Sequence, residues 1–88
     1  MSELKHVFEK WDNGNICDDY FVDEKGLFQG EYKWFYDDGT LRIHCFYKDD
    51  KLHGEYKSFN PDGTLREHSF WFEDEKVSKE DYLKLTGK

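Results

Sequence analysis

The sequence predicts a mainly β protein made of consecutive β-hairpins and ending in a short helix. A block of 24 residues occurs twice in succession, and turn-forming residues recur about every twelve residues. Within each block, aromatic and β-branched residues alternate with polar ones. Period-two alternation is typical of a strand with two different faces, and regularly spaced turns join such strands into hairpins.

The repeat is nearly identical over its best-matched parts. Gly30-Glu31-Tyr32-Lys33 recurs as Gly54-Glu55-Tyr56-Lys57, and Asp38-Gly39-Thr40-Leu41-Arg42 recurs as Asp62-Gly63-Thr64-Leu65-Arg66. Of the 24 positions that begin at Phe28, 13 are identical in the next unit, and chance does not produce such agreement.

A degenerate copy lies upstream at a spacing of 25 residues. Trp11-Asp12-Asn13-Gly14-Asn15-Ile16 resembles Tyr36-Asp37-Asp38-Gly39-Thr40-Leu41, and Phe21 matches Phe46. Imperfect terminal units are common in repeat arrays. We therefore divide the single domain, residues 1–88, into a degenerate repeat 6–29, a repeat 30–53, a repeat 54–76 and a C-terminal capping helix 78–86.

Each unit contains two strands of alternating character. In the first strand of the central unit, Tyr32, Trp34 and Tyr36 share one side. In its second strand, one side holds Leu41, Ile43, Cys45 and Tyr47 and the other holds Arg42, His44 and Phe46. The repeated rings at Tyr32 and Tyr56, Phe35 and Phe59, and Phe46 and Phe70, together with Leu41 and Leu65, are expected to form the core.

Two classes of turn join these strands. In Asn60-Pro61-Asp62-Gly63, proline fixes φ near −65°, which a type I′ turn cannot use. The sequence therefore predicts a type I turn with Gly63 as a left-handed bulge residue, and Asp37-Asp38-Gly39 should copy it. The second class, Lys48-Asp49-Asp50-Lys51 and Phe72-Glu73-Asp74-Glu75, joins one hairpin to the next and is acidic.

The two ends of the chain differ from the repeats. Ser78 is a candidate N-cap, Val77 and Tyr82 have the spacing of a hydrophobic staple, and Gly87 is a candidate stop. They predict a helix of about two turns that covers the open edge of the last hairpin. The stretch 4–11 has helical spacing of its apolar residues, but its equivalence to later repeats favours a strand.

Composition and charge narrow the function. Aromatic residues make up 19% of the chain, although the mean hydropathy is −1.04, so we expect a folded, thin molecule rather than a disordered chain. The net charge of −7 disfavours direct nucleic-acid binding and anionic membranes, and favours a basic partner. The same charge also serves solubility without any partner.

The pattern of these units resembles the MORN repeat, in the variant form of bacterial antitoxin-like and viral repeat proteins. Its residues here are Gly30-Glu31-Tyr32 with the aromatics that follow, then Asp38-Gly39-Thr40-Leu41, closing with Leu52-His53-Gly54-Glu55-Tyr56. The resemblance implies a single curved antiparallel sheet of consecutive hairpins. It implies scaffolding, self-association or lipid contact, and no catalysis.

Candidate partner-binding residues are of two kinds. Trp34, Tyr36 and Phe72 are aromatic in one unit but not in the next, so the repeat itself does not require them. Packing against the terminal helix or the N-terminal segment is the alternative explanation. The second kind is the acidic turn residues: Asp37, Asp38, Asp49, Asp50, Glu73 and Asp74.

No catalytic, cofactor or metal site is predicted. His44 and His68 occupy one repeat position, but equivalent positions one repeat apart are separated by roughly 9–10 Å, too far for a mononuclear site. The acidic turns lack the ligand spacing of a calcium loop. Cys17 and Cys45 have acidic surroundings that disfavour a nucleophilic thiolate, and two free thiols with no apolar leader fit a cytoplasmic protein.

The sequence supports a non-enzymatic protein–protein interaction module, with an acidic, aromatic-rich sheet surface as its binding site. One alternative is a small inhibitor or antitoxin whose acidic residues imitate a phosphate backbone and block a nucleic-acid-binding or enzyme partner. Another is a membrane-associated scaffold. Since strand edges remain at both ends of an array, a homodimer is a further expectation.

Overall fold

The computed structural model describes residues 3–87, and strands account for 55% of the chain. These residues form eight strands and one helix, with bounds as follows: β1 Lys5–Lys10, β2 Ile16–Val22, β3 Gly30–Phe35, β4 Leu41–Lys48, β5 Lys51–Leu52, β6 Gly54–Phe59, β7 Leu65–Phe72, β8 Glu75–Val77 and α1 Lys79–Leu85.

All of the strands belong to one antiparallel sheet with the order β1-β2-β3-β4-β6-β7-β8. The two-residue β5 also pairs with β4 and lies just before β6 in the chain, so the two together follow β4 along its length. The predicted fold class is confirmed: the chain is an open antiparallel sheet of consecutive hairpins with a short C-terminal helix.

The hairpin turns have the predicted bulge geometry. Gly39 and Gly63 have φ angles of 92° and 90°, in the left-handed region that favours glycine. The register shifts by one residue beside each turn, between Trp34 and Phe35 and between Ser58 and Phe59. The extra residue on the partner strand is an arginine in both units, Arg42 in the first and Arg66 in the second.

This bulge corrects the expected position of Arg42. Uninterrupted alternation puts Arg42 on the side of His44, but Trp34 pairs with Ile43 and Phe35 pairs with Leu41, so Arg42 lies between the two pairs. Its guanidinium stacks on the ring of Trp34. A bulge redirects a side chain in this way because two residues face one on the partner strand.

The sheet is one layer thick, and the molecule measures 43 × 35 × 17 Å. We call its two sides the Tyr32 face and the His44 face. The Tyr32 face carries Tyr20, Tyr32, Cys45 and Tyr56, whereas the His44 face carries Phe21, His44, Phe46, His68 and Phe70. Cys45, with 1% of its surface exposed, is the one fully buried hydrophobic residue in the described part of the chain.

The C-terminal helix does not cover the sheet edge as expected. Ser78 is its N-cap and accepts a hydrogen bond from the Asp81 N–H at 3.0 Å. Tyr82 then packs on the His44 face, with its ring 5.6 Å from that of Phe70. The edge of β7 is paired by β8 instead, and only over 70–72.

The first half of β7 therefore remains an open edge. Among the described residues, no strand pairs with the outer side of Leu65–His68. Leu65 is 54% exposed, which contradicts the expectation that it lies in the core with Leu41. Its repeat partner differs because β4 is flanked by β6, whereas the corresponding residues after β7 form the helix.

Candidate functional site

The predicted aromatic residues lie on both faces of the sheet. Trp34 and Tyr36 are on the Tyr32 face, beside the first hairpin turn of the central unit. Phe72 is on the His44 face, where its ring lies 5.0 Å from that of His53. His53 in turn contacts Tyr82 of the helix, so Phe72 has the packing role that was the alternative explanation.

Arg42 joins Trp34 and Tyr36 into one group, which we call the Trp34 cluster. The guanidinium carbon of Arg42 lies 4.0 Å from the Trp34 ring centroid and 5.3 Å from that of Tyr36. A cation over a ring contributes about 0.5–2 kcal/mol, depending on how far it is desolvated. The cluster thus holds three partly buried side chains in a defined arrangement on an open sheet face.

Tyr36 has a structural task as well. Its hydroxyl donates to the Phe59 carbonyl oxygen of the next unit at 2.8 Å. One unit earlier, the Trp11 indole donates in the same way to the carbonyl oxygen of Phe35 at 3.2 Å. The alignment of Trp11 with Tyr36 is the sequence signal for this bond, since both are aromatic residues with a polar tip.

A cavity of about 280 Å³ opens beside the Trp34 cluster on the Tyr32 face. It lies where β4, β6 and β7 run side by side, and its polar lining consists of Tyr36, Arg42, Tyr56, Ser58, Arg66 and Glu67. Residues of the central unit form one wall and residues of the following unit form the other. Sequence reasoning missed both arginines because it assigned repeat-matched residues to structure.

The acidic turn at Asp49 and Asp50 fastens one unit to the preceding one. Both residues have positive φ, 51° and 71°. The Asp50 carboxylate accepts the Phe28 N–H at 2.8 Å, and the Asp50 N–H donates to the Phe28 carbonyl at 3.0 Å. Asp49 accepts from the side chain of Gln29 at 2.6 Å. These carboxylates therefore satisfy donors of the protein itself.

The next acidic turn repeats this arrangement. Asp74 accepts the Leu52 N–H on its carboxylate at 2.9 Å and donates its own N–H to the Leu52 carbonyl at 2.9 Å. Glu73 and Asp74 have φ angles of 48° and 70°, matching Asp49 and Asp50. The bonds recur at a 24-residue spacing and form one clasp per unit.

Asp37 and Asp38 belong to the turns at the opposite ends of the strands. The Asp38 carboxylate accepts the Thr40 N–H at 2.8 Å, and this bond lowers the pKa of Asp38. The carbonyl of Asp37 accepts from the side chains of Asn13 and Asn15 at 2.6 and 2.8 Å. The candidate acids therefore lie at both ends of the sheet and do not form one patch.

The His44 face carries a row of histidine–carboxylate pairs, each joining residues 13 positions apart. The pairs are His6 with Asp19, His44 with Glu31 and His68 with Glu55. In the first unit the two residue types are exchanged, since His6 stands at the repeat position of Glu31. The hydrogen bond from His68 lowers the pKa of Glu55.

The histidines and cysteines of the described chain do not form a metal site. Within residues 3–87, no group of three or more His, Cys, Asp or Glu side chains is placed to hold a metal ion. Both cysteines are free, and burial raises the pKa of Cys45 to about 12. No helix in this part of the chain is long and apolar enough to cross a membrane.

Comparison with known proteins agrees with this architecture. The model of the MORN repeat variant family matches residues 28–49 and 52–71, which contain the hairpins β3–β4 and β6–β7. Neither the curated proteins nor the solved structures compared with the chain give a match. MORN repeats are generally protein- or membrane-interaction modules, and the family is non-catalytic. The chain is therefore a repeat protein of the MORN repeat variant family.

Proposed function

We propose that the chain is a non-enzymatic module that binds another protein through the Tyr32 face, with the Trp34 cluster at the centre of the contact. The residue types of this cluster support the proposal. Tryptophan, tyrosine and arginine are the three residues most enriched among those that dominate binding energy at interfaces. Here one of each is stacked together on a sheet face opposite the helix.

The repeat supplies a substitution that tests this role. Ser58 stands at the repeat position of Trp34, so the scaffold accommodates serine there. We expect Trp34→Ser to reduce capture of the partner from a lysate of the native host by about tenfold or more. The melting temperature of the variant should change little, since serine already fits this strand environment.

The control is Phe8→Ser, which removes an exposed ring from the His44 face of β1. Capture is quantified by mass spectrometry at low and at high salt. If Trp34→Ser and the unchanged protein retain the same partners equally well, the Tyr32 face is not the binding surface. If Phe8→Ser alone loses them, the partner binds the opposite face.

Charge mimicry has less support as a mechanism. Asp50 and Asp74 already accept backbone N–H groups, and Asp49 accepts from Gln29. An inhibitor that imitates a phosphate backbone would lose its partner steeply with rising salt, because its contacts would be exposed ion pairs. The high-salt arm of the capture experiment measures this directly.

A membrane-associated scaffold is the remaining alternative, since MORN repeats include membrane-interaction modules. The net charge of −7 favours a protein partner over an anionic bilayer. Free Cys17 and Cys45 agree with a cytoplasmic location, where thiols stay reduced. We include that location in the proposal.

A further inference from the structure

The cavity beside the Trp34 cluster gathers the strongest unpaired positive charge of the chain. The sequence contains two arginines, Arg42 and Arg66, and both line this cavity. In the described part of the chain, neither guanidinium forms a salt bridge with a carboxylate. A protein with 20 acidic residues thus leaves both of its arginines without an acidic partner.

The cavity exists because of one difference between the units. Trp34 fills the Tyr32 face at its repeat position, with Arg42 stacked on it. One unit later Ser58 takes that position, and its side chain lines the cavity instead of filling it. The missing indole leaves room for a ligand between Arg42 and Arg66.

The remaining lining residues leave the two guanidinium charges largely uncompensated. Glu67 is the acid at this cavity, but its carboxylate lies 3.7 Å from the Lys76 ammonium and accepts from Ser69 at 3.2 Å. Tyr56 senses all three charges. Burial raises the pKa of its phenol, Glu67 adds to the rise, and Arg42 and Arg66 oppose it.

We propose that this cavity binds the carboxylate of an acidic side chain presented by the partner protein, with Arg42 and Arg66 as its ligands. The inference rests on the proposed protein-binding function and specifies the group that the Tyr32 face recognises. Each guanidinium can donate two parallel N–H bonds to a carboxylate. The hydroxyls of Ser58 and Tyr56 are further donors on the same wall.

A carboxylate suits the cavity better than a phosphate. Glu67 shares the lining, so a ligand with two negative charges would meet a like charge at close range. A carboxylate carries one charge and still offers two acceptor oxygens. The aromatic walls from Tyr36 and Tyr56 also suit the methylene groups of a glutamate or aspartate side chain.

The direct test uses the two arginine Nε–H signals, which nuclear magnetic resonance resolves without ambiguity because the chain has two arginines. The probe is the tripeptide acetyl-Gly-Glu-Gly-amide, with a Gln version as the neutral control and a phosphoserine version as the competitor. We expect saturable shifts of both signals with the Glu peptide, none with the Gln peptide and weaker binding of phosphoserine. Tighter binding of phosphoserine, or shifts that follow ionic strength alone, would overturn the proposal.

Two variants separate the cavity from the general charge. Ser58→Trp should fill it with the side chain that Trp34 already places in the preceding unit, and should abolish the saturable shifts while the melting temperature stays near that of the parent. Arg66→Gln should weaken the Glu peptide about tenfold. Lys25→Gln makes the same charge change in an exposed turn and should leave the affinity unaltered. Equal effects of the two charge changes would show nonspecific attraction.

The partner-capture experiment distinguishes this inference from the proposed function. If Trp34→Ser loses the partner and Arg66→Gln and Ser58→Trp keep it, the Tyr32 face binds protein without the carboxylate contact and the inference fails alone. If Arg66→Gln and Ser58→Trp also lose it, both stand. If none of the three affects capture, both fail.

Discussion

At the scale of single residues, Cys45 shows how a one-layer sheet makes a core. Its side chain lies under the tyrosines of the Tyr32 face, and 1% of its surface is exposed. Burial raises the pKa of Cys45 to about 12 and that of Tyr32 to about 12, because the charged form of either group would lose its hydration. Both groups therefore stay neutral at physiological pH.

We expect this burial to protect Cys45 from alkylation. Thiolates are the reactive form, so iodoacetamide at pH 8 should modify the half-exposed Cys17 and leave Cys45 intact while the protein is folded. Peptide mass spectrometry after timed quenching gives both rates from one sample. In denaturant the two rates should become similar, and equal rates in buffer would contradict the buried position.

Glu55 links the histidine–carboxylate row to acid stability. Its folded pKa is lowered, chiefly by the His68 hydrogen bond, from a usual value of 4.5. A carboxyl with a lowered folded pKa stabilises the fold above its unfolded pKa and loses that contribution as the pH falls through the folded one. Stability should therefore decrease as the pH drops below about 4.5.

Glu55→Gln should remove part of this dependence. Because the Glu55 side chain is 38% exposed, we expect the variant to flatten the decline by less than about 1 kcal/mol between pH 6 and pH 3. Urea unfolding at a series of pH values measures it. Glu24→Gln removes an equal charge from an exposed turn, and an identical flattening there would mean that net charge alone is responsible.

At the scale of elements, the turns between hairpins store backbone strain. Glu73 and Asp74 both have positive φ without being glycine. Left-handed backbone costs most L-residues about 1–2 kcal/mol, and asparagine tolerates it better than glutamate. The clasp bonds of Asp74 to Leu52 hold the turn in this conformation.

Glu73→Asn should therefore stabilise the fold by about 0.5 kcal/mol, measured by urea unfolding. Asp74 is left unchanged so that its bond to the Leu52 N–H persists. Glu24→Asn is the matched control, because it makes the same exchange in an exposed turn outside the positive-φ positions. A decrease in stability for Glu73→Asn would show that the glutamate has an unrecognised contact.

The elements differ in how far the sequence determines them. Pro61 and Gly63 specified the bulged turn through their own φ preferences, and the 24-residue repeat placed the hairpins. The consequence of the bulge was missed, since alternation counts residues along one strand and ignores the pairing that resets the phase at Arg42. The stack of Arg42 on Trp34 depends on that pairing and was therefore not predictable from alternation.

At the scale of the whole molecule, the last unit remains half complete. The residues that correspond to β6 after one more repeat form α1 instead, so β8 pairs with only 70–72 of β7. Sequence reasoning identified this helix from Ser78 and its neighbours but not its position, because the contact of Tyr82 with Phe70 joins distant elements. Homodimer formation stays a prediction, and the outer side of Leu65–His68 is the edge available for it.

The exchange of tryptophan for serine at one repeat position has a consequence for longer arrays. Every additional unit would bring two strands and one further junction, at roughly 9–10 Å from the last. A serine there would create a socket and a tryptophan would plug it, on the same backbone. Such a sheet could thus be lengthened into a ruler whose sockets are opened or closed one side chain at a time.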